Sequence, residues 1–218
     1  MHDFQHRFLE LALRCQALRF GEFTLKSGRV SPYFFNAGQF RSGAALNALG
    51  EAYAAAIAKA NLGFDMLFGP AYKGIPIATA TAGALARDHA RDVPVAFNRK
   101  EPKDHGEGGV IIGAALQGRV LIVDDVISAG TSVRESMRLI EGAGATLAGV
   151  LVALDRQERG EDSRSAADAV RAELGVPVIA VATLDDLLVF SAAHTGLDGV
   201  RAKLEGYRAS YGAVAVSS

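Results

Sequence analysis

Cysteine is nearly missing from this chain; Cys15 stands alone. That excludes an internal disulfide framework and a thiolate metal cluster. It fits a reducing, cytoplasmic setting, with Cys15 as filler on an apolar helix face. An excess of one charge is missing too: 23 Lys and Arg stand against 24 Asp and Glu, a formal net of -1. No overall basic field is therefore available for nucleic acid or an anionic membrane surface. Any anion site has to be local. The chain has no apolar run of about 18 residues, so no membrane span is expected. Its start, "MHDFQHRFLELALRCQAL", is amphipathic and carries acids. It lacks the basic-then-apolar order of a secretory leader. Tandem repeats, low-complexity tracts and a helix-turn-helix outside the core are absent as well. His2, His6, His89 and His194 show no metal-ligand spacing. A soluble, cytoplasmic protein with no nucleic-acid or membrane partner is expected.

What is present is ample apolar material, 50% of 218 residues. That suits one domain with a small appended lobe. Phe4, Phe8, Leu11, Ala12, Cys15 and Leu18 recur at helical spacing and predict a first helix over about 3–19. "FGEFTLKSGRVSPYFFNAG" has turn residues, Ser27-Gly28 and Ser31-Pro32, between aromatic pieces, which predicts short antiparallel strands. "SGAALNALGEAYAAAIAKAN" reads as a helix capped by Ser42. From Met66 onward, continuous Val, Ile and Leu runs alternate with helical stretches, the pattern of an α/β fold whose parallel sheet is flanked by helices on both faces. One domain is expected over 1–218, with a hood of helix and short strands over about 1–60. The core covers about 61–190, and a C-terminal helix over about 197–210 returns to the hood.

The stretch "VLIVDDVISAGTS", Val120 to Ser132, places two adjacent acids at the end of the most apolar strand. In an open parallel sheet, ligands bind beyond the carboxyl ends of the strands. Asp124 and Asp125 stand there. The small and hydroxyl residues after them open a helix, whose free N–H groups and positive end suit a phosphate. Carboxylates accept hydrogen bonds from sugar hydroxyls, directly or through Mg²⁺. A sugar phosphate is the natural guest. The plain alternative is that the acids cap the next helix and the loop is a tight turn. The stretch is neither a Walker loop nor Gly-x-Gly-x-x-Gly.

Three other stretches carry chemistry. In "FGPAYKGIPIA", Ala71-Tyr72-Lys73-Gly74 lies between a strand and a helix, where loop N–H groups and Lys73 can meet a diphosphate; a simple turn with a solvated lysine is the alternative. "NRKEPKDHGEGG", residues 98–109, puts Arg99, Lys100, Lys103 and His105 in a loop with Gly106, Gly108 and Gly109. Such a segment either closes as a cationic lid or is an exposed loop with no task. In "FTLKSGRVSPYFFNAG", Lys26 can meet an anion while a flat ring stacks on Phe34 or Phe35. Two core phenylalanines and a surface lysine are the alternative. Arg156, in "LDRQERG", ends the strand next to that of Asp124 and can fork onto a carboxylate. Its local partners would be Asp155 or Glu158.

"VLIVDDVISAGTS" resembles the phosphoribosyl diphosphate (PRPP) motif of type I phosphoribosyltransferases, and "GPAYKGI" and "NRKEPKDHGEGG" resemble the orotate branch of that family. The resemblance implies a pentosyl transfer from PRPP to orotate, giving orotidine 5′-monophosphate on the way to UMP. It implies PRPP contacts from Lys26, Tyr72, Lys73, Arg99, Lys100, Lys103 and His105. The same is implied for Asp124, Asp125, Val126, Ile127, Ser128, Ala129, Gly130, Thr131 and Ser132. Orotate contacts are implied for Lys26, Phe34, Phe35, Ser128 and Arg156. Lys103, His105, Asp124 and Asp125 are implied to serve catalysis. Mg²⁺ is expected to arrive through PRPP, with no metal site built by the protein alone. A homodimer is implied, with the 98–109 loop reaching over the partner's site. Two positions depart from the family pattern: Pro102 stands where Ala is expected, and Ser128 where Thr is expected. A phosphoribosyltransferase for another base and a PRPP-sensing regulator on the same fold are the competing readings. The hood stretch and Arg156 speak against the first, the intact cationic loop against the second.

Overall fold

The computed structural model describes the chain except residues 26, 104–108, 129, 161–162 and 214–218; of residues 102, 103 and 198 it describes the backbone only. Helix α1 (Asp3–Arg14) buries Phe8, Leu9, Leu11 and Ala12. It stops earlier than the apolar spacing suggests. Cys15 caps it, Gln16 turns left-handed at φ 57°, and Leu18 becomes the first buried residue of a strand. Strands β1 (Leu18–Thr24) and β2 (Val30–Phe35) pair antiparallel, Leu18 against Phe35 and Arg19 against Phe34. The Ser27-Gly28 turn is there, with Gly28 at φ 80°. Ser31-Pro32 is not a turn: it lies inside β2. Pro32 has no N–H to give, and the pairing register slips opposite it, between Phe20 and Phe23.

The rest of the chain alternates. Helix α2 (Gly43–Ala60) starts where Ser42 Oγ accepts the Ala45 N–H at 3.2 Å. Then come β3 (Met66–Gly69), α3 (Gly74–His89), β4 (Val95–Lys103), β5 (Gly109–Gly113) and β6 (Arg119–Asp124). These are followed by α4 (Thr131–Gly142), β7 (Thr146–Asp155), α5 (Ala166–Leu174), β8 (Val178–Thr183), α6 (Leu184–Ala193) and α7 (Asp198–Tyr211). The main sheet has six strands in the order β5-β4-β3-β6-β7-β8. All neighbours are parallel except β4 and β5. The 98–109 stretch is therefore not simply a polar loop between strands. Its first part continues β4 to Lys103, and Gly109 opens the returning edge strand. Beyond Phe97, where β4 leaves its β3 partner, the strand carries charge without an apolar alternation.

Pleating sends alternate residues to opposite layers. Leu67, Leu121 and Leu151 face α2, α3 and the hood, packing with Leu49, Tyr53 and Ile57. Met66, Phe68, Ile122 and Val150 face α4 and α5, packing with Val133, Ile140 and Val170. Each such side chain stabilises the fold by roughly 1.5–3 kcal/mol of removed apolar surface. Helix α7 lies across the hood, with Tyr207 edge-on to Tyr33 at 6.2 Å between ring centres. Among the described residues no helix is long and apolar enough to cross a membrane.

Candidate active site

Strands β3, β6 and β7 all end on the same side of the sheet, and their following loops form one surface. Asp124 ends β6 and Asp125 follows it; they are 8% and 7% exposed. Two adjacent acids stay at this buried end because all four oxygens are used. Asp124 Oδ1 accepts the Asp125 N–H at 2.8 Å, and Oδ2 accepts from Ser132 Oγ at 3.1 Å. Asp125 Oδ1 accepts the Val126 N–H at 2.9 Å, and Oδ2 meets Lys73 Nζ at 2.6 Å. Burial, and next the neighbouring Asp125 charge, push the Asp124 carboxyl up to about 6. Tyr53, fully buried in α2, donates its hydroxyl to the Asp124 carbonyl at 2.8 Å and fixes the strand end from below.

Lys73 comes from the loop between β3 and α3. That loop is tight because Gly74 has no side chain: a Cβ there would lie 2.5 Å from Pro70 Cδ and 2.9 Å from the Val123 carbonyl. The Ala71–Tyr72 peptide is cis. The Ala71 N–H donates to Asn98 Oδ1 at 2.9 Å, and Lys100 Nζ stands 5.0 Å from the Tyr72 ring centre. The base of the cationic arm is thus tied to this loop. Tyr72 itself is 68% exposed. Arg99 buries one guanidinium nitrogen, Nη1, with no hydrogen-bond partner among the described residues.

Beyond the acids, Val126 packs toward the hood layer and Ile127 toward the α4 layer. Their side chains are spent on packing, so only backbone can serve a ligand there. Ser128 and Thr131 are exposed. Gly130 takes φ 73° ahead of α4, and no side chain caps that helix. Its first N–H groups, with the hydroxyls of Ser128 and Thr131, form a surface suited to a phosphate. Ser132 is partly committed elsewhere, to Asp124.

The hood supplies the other wall. Phe34 and Phe35 are neighbours on a strand and point to opposite sides. Phe35 packs on Phe8 and Phe40, at 6.1 and 6.4 Å between ring centres. Phe34 lies against Phe23 at 5.6 Å, with the Arg19 guanidinium 5.6 Å from its ring centre. Arg156 follows β7 and reaches β2, donating to Ser31 Oγ at 3.0 Å. Its forked edge is not open: Nε donates to Glu158 Oε1 at 2.7 Å. The local acid, one of two partners the sequence suggested, holds it.

One surface therefore collects Tyr72, Lys73, Lys100, Asp124, Asp125, Ser128, Gly130, Thr131 and Ser132. Lys26, His105, Ala129 and the Lys103 side chain lie outside the described residues. Sequence reading passed over Tyr53 and Asn98. Tyr53 looks like any aromatic on a buried helix. Asn98 opens the quoted cationic stretch, and an amide beside a loop of free N–H groups was the available signal.

Comparison with known proteins adds the chemistry. The phosphoribosyl transferase domain model matches residues 38–183. The chain is 63% identical to the orotate phosphoribosyltransferase of Xanthomonas campestris pv. campestris, over 97% of this chain and 98% of that protein. It is 61% identical to the one from Stenotrophomonas maltophilia over the same shares. Among solved structures, the orotate phosphoribosyltransferase of Francisella tularensis superposes with a TM-score of 0.85 at 42% identity, covering 94% of this chain and 99% of that one. On this likeness over nearly its whole length, the chain belongs to the orotate phosphoribosyltransferases.

Proposed function

We propose that this chain transfers the 5-phosphoribosyl group of PRPP to N1 of orotate, giving orotidine 5′-monophosphate and pyrophosphate in pyrimidine (UMP) biosynthesis. The observation that carries the reading is the run from Lys73 through Asp125 and Asp124 to the uncapped start of α4. It offers, in order, a cation, two carboxylates and a ring of N–H donors. A diphosphate, a ribose and a 5′-phosphate have that same order along PRPP.

In this mechanism the N1–C1′ bond forms as the C1′–O bond to diphosphate breaks. C1′ inverts, and the N1 proton is lost. Charge grows on the departing diphosphate and positive character on the ribose ring, so catalysis is mainly positioning and electrostatics. The Ser128–Ser132 loop holds the 5′-phosphate. Asp124 and Asp125 accept from the ribose hydroxyls and face the developing positive charge. Lys73 exchanges Asp125 for the leaving group, joined by Lys100. The family resemblance adds Arg99, Lys103 and His105 from a closing arm that excludes water, with His105 placed to protonate pyrophosphate.

No group of three or more His, Cys, Asp or Glu among the described residues could hold a metal ion. Two carboxylates already bonded to protein fit a cation brought in by the substrate rather than caged by the chain. Mg²⁺, when bound, would neutralise charge on the departing diphosphate, and Asp124 and Asp125 are the carboxylates that would face it. We further take the working form to be a cytoplasmic homodimer, with the arm crossing to the partner's site.

The test is direct. Purified protein is mixed with PRPP, Mg²⁺ and orotate, and loss of orotate absorbance is followed with pyrophosphate release. Adenine, hypoxanthine and uracil are run alongside. Turnover with orotate alone is expected. Turnover with a purine instead would overturn the base assignment, and Mg²⁺-dependent PRPP binding without turnover would mean a sensor.

A further inference from the structure

Arg156 is clamped from three directions. Nε donates to Glu158 Oε1 at 2.7 Å, and Nη2 lies 2.6 Å from the same oxygen. Nη2 also donates to Ser31 Oγ at 3.0 Å, and the guanidinium carbon sits 4.2 Å from the centre of the Tyr33 ring. Nη1 makes neither of these bonds, the Tyr207 hydroxyl lies close enough to interact with both Arg156 and Glu158, and the side chain keeps 20% of its surface exposed. A flexible five-donor fork is thus held along its Nε–Nη2 edge.

Glu158 does more than balance one charge. Its side chain is 12% exposed, and its Oε2 lies 3.9 Å from Arg29 Nη1. Arg29 belongs to the β1–β2 turn, where its carbonyl accepts the Leu25 N–H at 2.9 Å. One carboxylate thus joins the hood turn to the end of β7. The segment carrying Glu158 belongs to no helix or regular strand, and the end of α7 holds it. Ala213 N–H donates to the Gln157 carbonyl at 2.8 Å, and Arg159 N–H to the Tyr211 carbonyl at 2.9 Å. Arg159 Nη2 reaches the Ser210 carbonyl at 2.7 Å. Gln157 takes φ 50°, in the left-handed region that a non-glycine residue rarely adopts. Asp155 Oδ1 holds that turn by accepting the Gln157 N–H at 2.9 Å, and Asp185 N–H donates to Gln157 Oε1 at 2.9 Å. A strained turn fixed from both sides fits a segment whose side-chain directions matter.

We propose that Glu158 is a positioning residue for base binding: it aligns Arg156 so that the Nη1 end is offered to the orotate carboxylate, and residues 210–213 hold Glu158 in register. The proposal rests on the reading of Arg156 as an orotate contact. It makes residues 210–213 part of the support of the base site. An acid that merely neutralised Arg156 would instead weaken orotate binding, and its removal would tighten it.

The experiment compares E158A, E158Q and a chain ending at residue 212, each as the whole enzyme with Mg²⁺. It reads the KM for orotate, the KM for PRPP, kcat and thermal melting. E158A is expected to raise the orotate KM about tenfold or more, with kcat and the PRPP KM within about threefold of wild type. E158Q keeps an acceptor for Nε and should stay within about threefold in orotate KM. The shortened chain loses the Ala213–Gln157 bond but no buried charge, and should raise the orotate KM alone. It carries the test if E158A does not fold. A folded E158A or a shortened chain with wild-type orotate KM would overturn the proposal. So would equal rises for both substrates, or tighter orotate binding in E158A and E158Q. If the wild-type protein turns over no orotate at all, the base assignment fails rather than the positioning role.

Discussion

Ser132→Ala removes the side-chain hydroxyl that reaches Asp124, and the consequence has a definite sign. The bond runs from Ser132 Oγ to Asp124 Oδ2 at 3.1 Å and favours the ionised carboxylate. Burial and Asp125 work against it and hold the carboxyl up to about 6. A hydrogen bond to a charged group contributes about 1.5–3 kcal/mol, and the strongest O–H···O⁻ contacts run at about 2.5–2.7 Å. At the longer distance found here we take about 1 kcal/mol. With about 1.4 kcal/mol per pH unit, its loss moves Asp124 upward by about half a pH unit to one pH unit. Ionised Asp124 is the form that accepts from ribose hydroxyls. The assay is therefore kcat/KM for PRPP against pH, at saturating orotate and Mg²⁺. Wild type should lose activity on the acid side around pH 6, and S132A should lose it at a pH higher by that amount. Ionisations of PRPP itself are common to both proteins and cancel in the difference. Thr131→Ala removes a neighbouring hydroxyl with no bond to Asp124 and should leave the acid limb where it is. A limb that stays put in S132A, or moves down, refutes the reasoning.

Stability must follow the same sign. The folded carboxyl lies above its unfolded value, so Asp124 favours the fold fully below about pH 4. That contribution is lost as pH rises through about 6, and at neutral pH the ionised group costs about 3 kcal/mol. S132A should therefore lower the melting temperature more at pH 8 than at pH 4.5. About 1 kcal/mol corresponds to roughly 2–4 °C in a chain of this size.

What the sequence made legible follows from where the physics is local. The run "VLIVDD" announces itself because only a buried strand tolerates four aliphatics and only a ligand end rewards two acids after them. Ser42 caps the helix that follows it, since a cap needs only its own N-terminal turn. Tyr53 was not legible: its partner lies 71 residues away, and nothing in α2 distinguishes it from its buried neighbours. The same holds for Asn98, whose amide acts on a loop 27 residues earlier. Arg156 shows a subtler limit. Residue type and strand position single it out as a candidate, and its partner Glu158 is among the local choices. The direction left open to the guanidinium depends on Ser31 and Tyr33, which the hood brings across from the other end of the chain. The start of β4 follows the apolar pattern, but its extension to Lys103 and its return as β5 were not legible: beyond Phe97 β4 has no β3 partner, and the charged residues there carry no apolar alternation.

Three further outcomes are expected. Tyr53→Phe deletes a buried hydrogen bond with little change of shape, and should lower the melting temperature by roughly 3–6 °C, for about 1.5 kcal/mol at roughly 2–4 °C per kcal/mol. A melting curve that superposes on wild type would remove Tyr53 from the support of β6. Asn98→Ala frees the Ala71 N–H and loosens the 70–73 loop. Steady-state kinetics should show the KM for PRPP rising about three- to tenfold while the KM for orotate holds, and an unchanged PRPP KM would argue that the loop is rigid without the amide. Lys103→Ala leaves the Asp pair, Lys73 and the hood in place, so orotate binding, measured by calorimetry, should change by less than about threefold. Turnover depends on the growing charge of the diphosphate, so it should fall by about a hundredfold or more. A variant that kept near-wild-type turnover would show that the arm covers the site without contributing to the bond-breaking step.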